Sequence, residues 1–286
     1  MISISYKNNS IQFFLVSFSL IICLLTFNAC TVKHAPVEHG TIPRLAAPTP
    51  AAEEFGKTLF ADLQSGYKLD AENQKQDELA EIFNHLAQAA GADKLPWHMY
   101  LLDGPEIVDV RAVHGNYIFV WTGVFDAVEN EDELAGILAC ELAHVLAHHT
   151  DPVQFTIPSD VFFSVTEMAT SVGLMVASQG AITIGGHGWM KWAYSEVTDL
   201  DPLDRIYSEE LEREAASIAL LIISRTNYSP QALVDLWKRI AEEESLQAQF
   251  ERISRSLSPQ DRAAMLETLI LELPEGNKQL AKKQVQ

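Results

Sequence analysis

Cys140, Glu141 and His144, in the run Cys-Glu-Leu-Ala-His, stand one residue away from the pattern H-E-x-x-H. In that pattern two histidines four residues apart share one face of a helix and grip zinc, and the Glu after the first His serves as general base. Here Cys140 takes the first ligand position, Glu141 the base position and His144 the second ligand position. The competing reading is chance on an amphipathic helix, with Cys140 a small buried apolar residue and His144 a core histidine with its hydrogen bonds satisfied. A pattern this short does not choose between them.

The element that must carry these residues is legible. Leu134, Ile137, Leu138, Leu142, Val145 and Leu146 recur at steps of three and four, which predicts a helix. Asn130 with Glu133 three residues on suits its N-cap, and acids at 131–133 suit the positive end of its dipole. His148, His149 and Asp151-Pro152 mark its stop.

The first 29 residues hold one charge, Lys7, and an apolar run from Ile11 to Phe27 that ends in Asn28-Ala29-Cys30. That predicts a secretory signal over 1–29, with Cys30 as an acylated N-terminus. Ser17, Ser19 and Thr26 weaken the alternative of a spanning helix. The expected place is a bacterial cell envelope, as a periplasm-facing lipoprotein of the outer membrane. Pro36, Gly40, Pro43, Pro48 and Pro50 make 30–50 a tether, 51–273 forms the domain, and 274–286 a polar tail. A net charge of −19 argues against nucleic acid as a partner. With Cys23 lost, Cys30 acylated and Cys140 alone, no intrachain disulfide framework is available.

Helices are predicted over 51–63 and 71–90, then strands at 97–102, 108–113 and 115–121, with His114-Gly115-Asn116 turning between the last two. A small antiparallel sheet beside the central helix is expected, and its edge could pair with an extended polypeptide. The apolar, Gly-dotted span 158–188 reads as a core helix and loop. Further helices are predicted at 206–225, 230–248 and 259–272, the last two opening on Ser-Pro. Trp97, Trp121, Trp189, Trp192 and Trp237 read as packing residues, His187 as solvated and Glu242 to Glu244 as an exposed face.

The order of these pieces, a strand hairpin, then WTGVFDAVENEDELAGILACELAHVLAHH, then YSEELEREAASIALLIISRTNYSPQALVDLW, then SPQDRAAML, resembles the zinc metallopeptidases of peptidase family M48, which include HtpX-like heat-shock peptidases and CAAX prenyl endopeptidases. The resemblance spans about 53–272. It implies an α+β, mainly helical zincin-like domain, one zinc ion and proteolysis of polypeptides in quality control. It also assigns the third ligand, the first Glu of an E-x-E-A-D motif, to Glu212, and matches a downstream family His to His148.

Three positions depart from that pattern. Cys140 replaces the first His, Ala216 the closing Asp of E-x-E-A-D, and Ser256 the His of a His-Pro pair. A thiolate sulfur lies close to its Cβ, and a Zn–S bond of about 2.3 Å against about 2.0–2.1 Å for Zn–N recovers only a few tenths of an ångström. Cysteine also has no ring N–H for the missing carboxylate to hold. Three readings stay open: zinc on Cys140, His144 and Glu212 with Glu141 as base; a fold without catalysis that binds polypeptides or an assembly partner; or a metal one turn along, on His144 and His148 with Glu212.

Overall fold

The computed structural model describes residues 36–69, 74–151, 203, 206–253 and 255–274. Elements are numbered here as α1 Pro50–Gly66, α2 Gln74–Ala90, β1 His98–Leu102, β2 Val110–Val113, β3 Tyr117–Trp121, α3 Val124–Ala127, α4 Glu131–Leu146, α5 Glu209–Ile223, α6 Pro230–Glu242, α7 Glu244–Gln249 and α8 Pro259–Glu272. Everything turns on α4. Apart from Glu131, Asp132 and Cys140 all its residues are buried, and it packs against α5, α6, β2 and α2. Gly136 lets α6 approach, because a Cβ there would lie 2.9 Å from Leu233 Cδ1. Asn130 caps the helix, its side chain accepting from Glu133 N at 3.0 Å.

The sheet differs from expectation. Its order is β1-β3-β2, with β2 antiparallel to β3 but β1 parallel to it, so it is mixed rather than antiparallel. The tight turn forces β2 and β3 into a hairpin, with Gly115 at φ 92° and Asn116 at φ 64°. The connection 103–109 then carries the chain across, so that β3 sits between β1 and β2 and is buried along its whole length. Ile118 and Val120 face the main core around α4, while Tyr117, Phe119 and Trp121 face a second cluster with Leu59 and Leu63 of α1. The class is α+β and mainly helical, as the sequence implied.

One backbone amide on each outer strand is bound by a side chain. Ala112 N donates to Glu141 Oε2, and Leu101 N donates to Gln76 Oε1. Of the expected tether, residues 36–49 lie against the domain, with Val37, Ile42 and Leu45 packed on the core. The helix expected to run on to 248 breaks at Glu243. Trp121 and Trp237 are buried and Trp97 partly so. The expected signal, Cys30, the 158–188 segment, His187, Trp189, Trp192 and the tail from 278 lie outside the described residues. Among the described residues, no helix is long and apolar enough to cross a membrane.

Candidate active site

α4 offers Cys140, Glu141 and His144, and α5 offers Glu212 in its first turn. Ser208 caps α5, its hydroxyl accepting from Leu211 N. These four residues line one small cavity of about 30 Å³, room for about one water, together with Arg111, Tyr207 and Arg262. His144 Nε2 stands 3.9 Å from Glu212 Oε2. Cys140 is the one residue inside α4 that is not fully buried, because it opens onto this cavity.

Each group has defined surroundings. Glu141 Oε2 accepts from Ala112 N at 2.6 Å. Burial nevertheless pushes its carboxyl up to about 7, against the lowering pull of Arg111 and of that hydrogen bond. Burial also pushes the Cys140 thiol up to about 12, with Arg262 pulling the other way. Glu212 is held at both oxygens: Ser256 Oγ donates to Oε1 at 2.9 Å and Arg262 Nη1 to Oε2 at 2.7 Å. Arg262 is itself buried and lies over the Trp237 ring, 4.8 Å from its centroid. Beside Arg111, Asp109 is fully buried and accepts from Arg252 Nε at 2.8 Å. Arg111 Nε lies 3.1 Å from its other oxygen, near enough for an ion pair but off line for a hydrogen bond.

His148 and His149 part company at the end of α4. His148 adopts φ 60°, and its half-exposed ring lies 3.0 Å from Asp151 Oδ2, so its i,i+4 relation to His144 is broken. His149, read from the sequence only as part of the helix stop, takes the buried place: its Nδ1 is 2.9 Å from His144 Nδ1, and its Nε2 is 2.7 Å from Glu214 Oε2. Tyr207 stacks on the His144 ring with centroids 3.9 Å apart. The adjacent His-His pair before Asp151 was the available signal; periodicity alone could not select between them.

The sequence pattern of peptidase family M48 fits residues 73–270, most of the chain. The chain belongs to peptidase family M48. Proteins similar to this M48 chain include the beta-barrel assembly-enhancing protease of Yersinia pestis, 24% identical over 160 residues, 56% of this chain and 31% of that protein. The mitochondrial metalloendopeptidase OMA1 of Saccharomyces cerevisiae is 27% identical over 151 residues, 52% of this chain and 38% of that protein. The mitochondrial metalloendopeptidase OMA1 of Bos taurus is 24% identical over 229 residues, 74% of this chain and 42% of that protein. The chain spans less than half the length of each.

M48 proteins are zinc metallopeptidases, and the residues present fit a divalent cation in part. Among the described residues no three His, Cys, Asp or Glu donors stand close enough to hold an ion together. His144 Nε2 and Glu212 Oε2 do face one another, and Glu212 keeps lone pairs beyond those that Ser256 and Arg262 use. A ligating carboxylate is ordinarily held by such outer hydrogen bonds. The fit is therefore through His144 and Glu212, with Cys140 lining the same cavity as the remaining donor.

Proposed function

We propose that this chain is a zinc-dependent endopeptidase of a bacterial cell envelope, acting on polypeptides in quality control and held to a membrane through an acylated Cys30. Zinc is held by His144 and Glu212, with Cys140 as the third and weaker ligand. The observation that carries this reading is the convergence of His144 Nε2, Glu212 Oε2 and Glu141 on one water-sized cavity. The lipid anchor is supported by Asn28-Ala29-Cys30 directly after the apolar run.

Zinc, when bound, supplies a Lewis acid for the scissile carbonyl. Glu141 is the base. With Oε2 held by Ala112 N, Oε1 is the atom that takes the proton of the attacking water and then passes it to the leaving amine as the C–N bond breaks. Arg262 and Ser256 keep the Glu212 carboxylate in place.

The test is zinc stoichiometry by atomic spectrometry together with cleavage of an unfolded protein substrate, alongside Glu141→Gln. One zinc and Glu141-dependent cleavage are expected. A second reading, polypeptide binding without hydrolysis, draws on the cationic Arg262 beside Glu212 and on the proton that burial keeps on Cys140. Retention of unfolded polypeptide with no zinc and no cleavage would select it. Mass spectrometry of the mature N-terminus tests the anchor: a start at another residue with no lipid mass removes it.

A further inference from the structure

The way α4 ends puts two residues behind His144 that the motifs left unassigned. Ala147 closes the helix, His148 takes the left-handed conformation, His148 N donates to Val145 O at 3.0 Å and His149 N donates to His144 O at 2.9 Å. These two bonds form a Schellman motif, which folds the chain back on the last turn. The fold-back sets the His149 ring beside His144, and α5 presents Glu214 to the far side of His149. Glu214 is fixed in turn, because Val37 N donates to its Oε1.

The direction of protons along this line follows from the partners. An ionised carboxylate only accepts, so His149 Nε2 carries the proton shared with Glu214 Oε2. A neutral imidazole has one N–H, so His149 Nδ1 is an acceptor. His144 Nδ1, 2.9 Å away, must then be the donor, and neutral His144 presents its lone pair on Nε2. That is the atom facing Glu212 Oε2. Tyr207, stacked at 15° to the ring, restrains its plane.

We propose that Glu214 and His149 are positioning residues that hold His144 in the tautomer whose Nε2 lone pair faces Glu212. This deepens the metal-site reading and rests on it only for its consequence, metal affinity. His149→Gln keeps the polarity, since an amide oxygen accepts from His144 while its N–H donates to Glu214. His149→Leu removes both bonds. Glu214→Gln removes the obligate acceptor and lets the line run in either direction.

The experiment is long-range ¹H–¹⁵N correlation of the histidine rings in the chelator-treated, ¹⁵N-labelled chain, followed by cobalt(II) titration read in the visible spectrum. Thermal unfolding accompanies each variant. Wild type should show His144 protonated at Nδ1 and bare at Nε2. His149→Leu and Glu214→Gln should lose that preference and bind cobalt about 10–100-fold more weakly, with His149→Gln returning to near wild type. Should His149→Leu fail to fold, Glu214→Gln carries the comparison. A proton on Nε2 in wild type, or a His144 signal that neither His149→Leu nor Glu214→Gln alters, overturns the proposal. A wild type with the expected tautomer that takes up no cobalt supports the relay while removing the metal reading of the site.

Discussion

The two ends of the site on α4 are built differently. At the His144 end, a helix stop, a second imidazole, a carboxylate and a stacked tyrosine all bear on one ring. At the Cys140 end, burial among apolar neighbours opposes the ionisation that metal binding needs. The contrast teaches that a site one residue short of its pattern is not uniformly weakened. Orientation is retained where the chain supplies outer partners, and lost where the ligand itself has nothing to orient.

The largest effect expected from this contrast is on Cys140 reactivity. With its thiol pushed from an ordinary 9.0 up to about 12, the thiolate fraction at pH 8 falls about 1000-fold below that of an exposed cysteine. Peptide-resolved alkylation of the folded chain should show at least that slowing at Cys140. Rapid alkylation would mean the thiolate is already available, and the Cys140 end would be as ready for metal as the His144 end.

Next in size is the cost of burying Glu141. Its carboxyl is raised from 4.5 to about 7, so the folded state holds the proton more tightly than the unfolded chain does. The sign follows: between those values stability of the metal-free protein falls as pH rises, and the full penalty is present above about pH 7. The penalty is roughly 3 kcal/mol at order-of-magnitude level. Glu141→Gln, whose amide oxygen still accepts from Ala112 N, should flatten this slope and raise stability at pH 7.5 in denaturant melts with chelator present. An unchanged pH slope in the variant would place the titration elsewhere.

These predictions depend on features of unequal legibility. The α4 helix, its Asn130 cap and the Ser-Pro starts of α6 and α8 were readable because apolar spacing and capping chemistry are local. Glu212 was placed by resemblance alone, and the fold brings it to His144 because α4 and α5 pack along their lengths. The mixed sheet was not readable, since strand patterns do not encode which edge a preceding strand joins. Nor was the relay. Periodicity treats a helix as endless, which puts His148 beneath His144, whereas the stop at Leu146 gives that place to His149.

Repairing the weak end should act in a coupled way. Cys140→His restores the reach of the first ligand but leaves its ring without the carboxylate that Ala216 fails to supply; Ala216→Asp alone adds a buried carboxylate without a ring N–H to hold. The double variant should bind zinc about 10–100-fold more tightly than the two single effects combine to give. Calorimetric titration of all four proteins measures the coupling. Additive effects would show that the two positions are independent.

The smallest effect separates the two histidines at the end of α4. His148 is a non-glycine residue at φ 60° in a position where glycine is favoured, and its ring makes a half-exposed contact with Asp151. A surface contact of that kind contributes about 0–1 kcal/mol, while relief of left-handed strain gives about 1–2 kcal/mol. His148→Gly should therefore stabilise the fold by about 1 kcal/mol in chemical denaturation, and it keeps the fold-back that seats His149. Because His148 faces away from the cavity, cobalt affinity should stay within about twofold of wild type. If the metal instead sat one turn along on His144 and His148, the same substitution would remove a ligand and affinity would collapse even as the fold gained stability. One variant, read by denaturation and by metal titration, thus decides which of two adjacent histidines belongs to the site.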